Sequence, residues 1–191
     1  MGDLERDPPF YFLNNSMNTL TCPFPANINP LSPNGFQLSI SKLPELSYFC
    51  QQADLPSISL PAPIQATPLS PNVMAGDILE FGEFNVQFMI DENMANYRAI
   101  FNWMVGLGFP ESYDQYSNFR NQNSSAVPEM KKNFSDGFLQ ILGNNNQVVQ
   151  TVQFLDMFPT NLQSLVFQST SQDVNYLIGN VSFRYDIYKF V

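Results

Sequence analysis

Between Phe84 and Gly106 the spacing of apolar positions changes from two residues to about 3.6, the signature of a strand running into a helix. Phe84, Val86, Phe88 and Ile90 alternate with Asn85, Gln87 and Met89, which predicts a strand with one buried face. Beyond Asp91 the apolar residues Met94, Tyr97, Ile100, Phe101 and Met104 fall along one helical stripe. Asp91 is the expected N-cap, and Glu92 adds negative charge where the first-turn N–H groups favour it. The predicted core unit is therefore Phe84, Val86, Phe88 and Ile90 packed under Met94, Tyr97, Phe101 and Met104, with Trp103 also inside.

The rest of the chain is mostly strand-like. Phe36, Leu38 and Ile40 alternate with Gln37, Ser39 and Ser41; a second strand is predicted from Leu46 to Leu55, with Pro44 in the turn between them. Prolines from Pro56 to Pro71 predict an irregular or edge-like connection. Leu79 to Ile90 reads as one long strand in which Gly82 allows a bulge that switches the face. The helix is expected to stop at Gly106 and Gly108, with Pro110 beyond. Residues 109–136, rich in Ser, Asn, Gln and Tyr, lack sustained periodicity and read as a long surface loop. Gly137–Leu142 and Val148–Leu155 flank Gly143-Asn144-Asn145-Asn146, a hairpin signal. Leu162–Gln168 and Leu177–Phe190 are the last predicted pair, the latter with Val181, Phe183, Tyr185 and Ile187 on one face. The expected fold is mainly β: an antiparallel β-sandwich or barrel with one flanking α-helix.

Proline usage divides the chain. Twelve of the 15 prolines lie in the first 71 residues, so residues 1–33 read as an extended N-terminal arm and residues 34–191 as the β domain. Phe10, Tyr11, Phe12 and Phe24 are too apolar for a free linker. They are expected either to cover the protein's own core or to dock on a neighbouring subunit. An apolar content of 44% with 18 Phe is ample for a core. The start, MGDLERDPPF, has neither the charged region nor the apolar centre of a signal peptide, and Arg6 stands where a myristoylation motif needs Ser or Thr. No membrane association is expected.

The chemistry available is narrow. There is no histidine, which removes Ser-His-Asp and Cys-His sites and His-based metal centres. Cys22 and Cys50 lie outside any CxxC spacing and read as unpaired thiols. The sequence has no GxGxxG, GxxxxGK[ST] or GxSxG motif, so no catalytic, cofactor or metal site is predicted. Glu80 with Glu83, or Asp91 with Glu92, could in principle serve a carboxylate-dependent hydrolase on a β scaffold; as neighbours in an acidic chain they read first as a solvated face or a cap. The formal charge of −9, from 17 acidic and 8 basic residues, argues against nucleic-acid binding through phosphate neutralisation. Asp77, Glu80 and Glu83 form an acidic triplet whose two readings are a solvated strand face and the wall of a channel.

Three segments carry a resemblance. GFQLSISKLPELSYFCQQADLPSISLP at Gly35–Pro61, FNVQFMIDENMANYRAIFNWM at Phe84–Met104 and FPTNLQSLVFQSTSQDVNYLIGNVSFRYDIYKF at Phe158–Phe190 are similar, in order and spacing, to the tail tube proteins of contractile-tailed, T4-like bacteriophages. The resemblance implies a β-sandwich-like barrel with a flanking helix, a structural rather than enzymatic role, and no cofactor. It also implies hexameric rings whose strands join across subunits into a closed inner barrel. Such rings stack into a tube inside a sheath, beginning at a baseplate, and DNA passes through the lumen without specific binding. An acidic lumen would keep DNA from adhering, and the net charge is compatible with that role. The place implied is the virion tail, assembled in the host cytoplasm. The proline-rich arm and the loop at 109–136 depart from the family pattern. They leave open a tube-initiating baseplate protein or the inner tube protein of a contractile injection or secretion system.

Overall fold

The computed structural model describes residues 28–66, 68–122, 131–169 and 176–191. The arm residues Phe10, Tyr11, Phe12 and Phe24, and Cys22, lie outside the described residues. From Leu31 onward the chain is one unit, built mainly of strands: β1 (Phe36–Ile40), β2 (Cys50–Ala53), β3 (Ile58–Ser59), β4 (Ile64–Gln65), β5 (Asn72–Val73), β6 (Glu80–Phe81), β7 (Phe84–Met89), β8 (Ser135–Leu142), β9 (Val148–Leu162), β10 (Ile178–Arg184) and β11 (Ile187–Phe190). Three helical segments accompany them: α1 (Leu46–Phe49), α2 (Ala95–Gly108) and α3 (Tyr113–Gln122).

The principal sheet is antiparallel and runs β1-β8-β9-β10-β7-β2, with β11 also on β9. It is folded over at β9, whose first half pairs with β8 and β11 while its second half pairs with β10. The bend falls at Asp156, which has φ 52°. Here three residues of β9 are spanned by two of β8, since Ser135 faces Met157 and Gly137 faces Phe154, the geometry of a bulge that turns a strand. The Asp156 N–H donates to Asp136 Oδ1 at 3.2 Å. Opposite this bend, β10 ends and β11 begins, with Asp186 N–H donating to Leu155 O at 3.0 Å.

Between the two leaves lies one core. Phe84 stacks on Phe154 with ring centroids 4.5 Å apart, and Phe183 lies beside both Phe84 and Trp103. Leu38, Ile40, Leu139 and Val152 come from one leaf, Val86, Phe88 and Val181 from the other, and Ile100 and Trp103 from α2. Large rings of this kind dominate the burial term of a small core. The polar tips of three of these rings have partners: Trp103 Nε1 donates to Asn133 O (3.1 Å), Tyr185 Oη to Gly82 O (2.9 Å) and Tyr188 Oη to Pro56 O (3.3 Å).

Several local expectations change. Leu46–Leu55 is not one strand: Leu43 and Leu46 are both buried three residues apart, so the segment turns through α1 before β2 begins at Cys50. The strand expected at Leu79–Ile90 divides at Gly82, β6 pairing with β3 and β7 with β10 and β2. Residues 109–136 are not all loop, because α3 lies within them; the helix beside the sheet is therefore joined by a second. The segment Leu162–Gln168 is strand only at its first residue, where β9 ends, and Leu177–Phe190 is broken at Tyr185 and Asp186.

The strand-to-helix junction differs most. Asp91 does not cap the helix: its carboxylate accepts the Glu92 N–H at 2.9 Å, and α2 starts at Ala95 after Met94 in a left-handed conformation. The organising residue is Asn96, buried, whose amide donates to Met89 O at 2.7 Å while its Oδ1 accepts the Tyr97 N–H at 2.8 Å. Asn96, Ile100, Trp103 and Gly106 form the buried face. Phe101, one residue and about 100° beyond Ile100, is 52% exposed, contrary to its predicted place. Phe84, Val86 and Phe88 are buried, and Ile90, Tyr97 and Met104 pack partly against them; Met94 is half-buried at the turn.

Phe88→Ala is expected to lower unfolding free energy by about 3–5 kcal/mol, and Phe101→Ala by less than about 0.5 kcal/mol. Asn96→Ala should cost about 1–3 kcal/mol by leaving Met89 O without its donor. Urea unfolding followed by Trp103 fluorescence checks all three.

Candidate assembly and channel surfaces

The acidic triplet is spread out. Asp77 lies in a bend between β5 and β6, Glu80 on β6 and Glu83 just before β7, all exposed. Ser59 Oγ donates to Glu80 Oε2 at 3.5 Å, while Glu83 Oε1 accepts from Arg184 Nε and Nη2 at 3.2 and 3.1 Å. Glu83 is thus neutralised by its neighbour on β10. Among the described residues no group of three or more acidic or thiol side chains could hold a metal ion.

Residues 57–82 form a hairpin-like extension of two small ladders, β3 with β6 and β4 with β5. Its surface is apolar: Ile58, Ile64, Val73, Met74, Ile78 and Leu79 are exposed, and Leu69 is 98% exposed. Exposed apolar groups concentrated in one segment mark a surface that meets a partner. The base is fixed. Gly82 N–H donates to Ser57 O at 2.9 Å, and the tyrosine hydroxyls of Tyr185 and Tyr188 hold Gly82 and Pro56. A Cβ on Gly82 would stand 2.7 Å from Ser57 Oγ, so a larger residue there would have to turn the serine hydroxyl aside.

On the leaf made by β2, β7, β10 and the second half of β9, the side chains opposite the core are mostly neutral and polar, with the Ile178–Met89 pair at one end of β10 and Arg184 at the other. Asn85 faces Ser182, and Gln87 faces both Asn180 and Gln52 in the ladders. They pair with one another. Ser182 Oγ donates to Asn85 Oδ1 (2.8 Å), Asn180 Nδ2 to Gln163 Oε1 (2.8 Å) and Gln52 Nε2 to Asp54 Oδ1 (3.0 Å). They line a shallow concavity of about 340 Å³. The Glu83–Arg184 pair borders it, and Asp54 is its one carboxylate. On the opposite flank of this leaf, β2 has β7 as its sole ladder partner among the described residues, leaving an open edge.

A larger pocket, about 580 Å³, lies where α2 and α3 meet the turn at Ser41–Leu43. The helices approach closely because Gly106 lacks a side chain: a Cβ there would sit 2.6 Å from the Phe119 ring. Lys42 enters this pocket with Nζ 5.2 Å from the Trp103 ring centroid and 4.7 Å from that of Phe119, and donates to Lys132 O. Burial lowers its pKa to about 8. Burial also pushes the Cys50 thiol up to about 11, so it stays protonated and inert near neutral pH.

Sequence reading picked out Asp77, Glu80 and Glu83 but missed Lys42, Asn96 and the amide-rich face. The face had a signal: it is the polar complement of the two alternating strands, Asn85 and Gln87 in one, Asn180 and Ser182 in the other. Lys42 had none, because its surroundings come from α2 and α3, more than fifty residues away.

The Lys42 proton gives a pH test. Its pKa is lower folded than unfolded, so the unfolded chain binds more protons between about pH 8 and 10.5. Stability of the wild type relative to Lys42→Met should therefore rise through that window, the penalty being fully present below pH 8. Paired urea titrations at the two ends of the window measure the difference.

The sequence model of the family described as phage tail tube protein matches residues 15–191. No curated protein sequence matches the chain. Among solved structures, the fold is similar to that of a chain in the tube-terminating cap of the anti-feeding prophage, with TM-score 0.58, 14% identity, and coverage of 91% of this chain and 98% of that one. A chain in the baseplate of the same particle gives TM-score 0.57, 12% identity, and coverage of 85% and 96%. A chain in the extended sheath–tube complex of an extracellular contractile injection system gives 0.50, 14%, and coverage of 86% and 93%.

Proposed function

The chain belongs to the phage tail tube protein family, and from that premise we propose that it is the inner tube subunit of a contractile tail, self-assembling into stacked hexameric rings that conduct DNA into the host. The observation that carries this reading is the leaf of β2, β7, β10 and late β9, whose outward face is neutral and hydrogen-bonded within itself. Such a face suits the wall of a channel, since its central groups, Asn85, Gln87, Asn180 and Ser182, offer neither cations to hold phosphates nor apolar surface to hold bases. The open edge of β2 and the late part of β9 at the other side of the leaf are placed to pair with neighbouring copies and close an inner barrel. The apolar extension at residues 57–82 then serves contacts between copies, and the sheath and baseplate meet the outer surface. Glu83, at the border of the polar face, contributes a balanced ion pair to the channel rather than an acidic ring. The protein's place is the virion tail, after assembly in the host cytoplasm.

The likeness to chains of an anti-feeding prophage and an injection system favours one second reading, the tube or baseplate-proximal protein of an injection apparatus. The same subunit contacts would serve it. Whether the assembled particle encloses DNA separates the two.

Negative-stain imaging of the purified protein, alone and with baseplate, should show hollow rods or sixfold rings. Globular particles under both conditions, with hydrolysis of polysaccharide, would support the carboxylate hydrolase instead. Gln87→Lys with Asn180→Lys should leave rods intact yet slow DNA release from reconstituted particles, because each new ammonium pairs with passing phosphates. Unchanged release would remove this face from the channel.

A further inference from the structure

Lys42 is an anomaly in this chain. The protein has 17 acidic residues against 8 basic ones, yet among the described residues no carboxylate pairs with Lys42, and none lines its pocket. Its neighbours there are the amides Asn102, Gln115 and Asn118 and the rings of Trp103 and Phe119. A half-buried ammonium held by rings and one backbone carbonyl has capacity left for an anion. The complementary feature stands on the extension at residues 57–82. Asp77 has no hydrogen-bond or ion-pair partner among the described residues, and the adjoining Ile78 is 73% exposed. Glu80, by contrast, is already engaged by Ser59.

We propose that the Lys42 pocket receives the Asp77–Ile78 segment of a second copy of this chain, the carboxylate meeting the ammonium and the isoleucine lying against the half-buried Phe119 ring. The inference rests on the tube reading, because a contact between two different surfaces of identical subunits propagates from copy to copy. Charge and apolar complementarity together favour this occupant: the pocket offers one cation beside an aromatic ring and amides, and the segment offers one carboxylate beside an exposed apolar side chain. The pair would be desolvated only in the assembly, where removing one partner leaves the other buried and unpaired.

The test is charge exchange in the full chain, read by rod assembly on the wild-type baseplate. Lys42→Glu and Asp77→Lys should each raise the protein concentration needed for rods by about tenfold or more, and the double exchange should restore it to within about threefold. Ile78→Ser, at a side chain with no fold to disturb, should also raise it severalfold. Urea midpoints of Asp77→Lys and Ile78→Ser should match the wild type, which excludes a contact within one copy. Assembly of either single-charge variant at the wild-type concentration, or no recovery in the double exchange, overturns the proposal while leaving the tube reading intact. A wild-type chain that forms no rods even on the baseplate overturns both.

Discussion

A single strand, β9, holds two leaves of sheet together, and the fold depends on where it bends. Fifteen residues long, it pairs with β8 and β11 before Asp156 and with β10 beyond it. The left-handed backbone at Asp156 is uncommon for a residue with a Cβ. It is held by Asp136 from β8, which accepts the Asp156 N–H, and by Lys131, whose ammonium lies 3.2 Å from the Asp156 carboxylate. Fold the sheet there and Phe154, just before the bend, comes face to face with Phe84 of the other leaf. The stack is thus a product of the bulge as much as of the two phenylalanines.

From that stack the ring contacts spread outward, and their polar tips do the joining. Trp103 fixes the segment before β8 through Asn133, while Tyr185 and Tyr188 clasp the two ends of the extension at residues 57–82. An aromatic side chain with an apolar body and one hydrogen-bonding atom can belong to a core and tether a surface segment at once. This explains how an extension with so many exposed apolar residues is anchored to the domain through its base.

The legible part of the sequence was the part governed by local periodicity. β1, β7, the β8–β9 hairpin and most of β10 follow from alternation and from the Gly143-Asn144-Asn145-Asn146 turn, where Asn146 takes φ 56°. What failed had non-local or polar causes. Phe101 falls on the predicted apolar stripe, yet the buried face runs through Ile100 and, one turn before it, Asn96, whose hydrogen bond to the end of β7 offsets its burial. α3 was hidden because its sequence, YDQYSNFRNQ, has few apolar residues, and its one ring packed on the core, Phe119, meets a glycine rather than an apolar stripe. Beyond these, the ion pair of Glu83 with Arg184, a hundred residues on, is visible only in the structure. Assignment of whole surfaces to channel or contact is likewise a property of the assembly, which no local pattern encodes.

The amide face has a further consequence for anything that moves along it. Because Asn180 is bound to Gln163 and Ser182 to Asn85, part of this face's hydrogen-bonding capacity is already used within the chain. Were this face the proposed channel wall, a bond formed to it would replace one to water or to a neighbour, a nearly balanced exchange, and the energy profile along it would be shallow. Drag along such a wall is then set by the water layer between the two surfaces rather than by chemical identity. In the proposed tube, transport would then depend on the force applied from behind and little on the sequence of what passes.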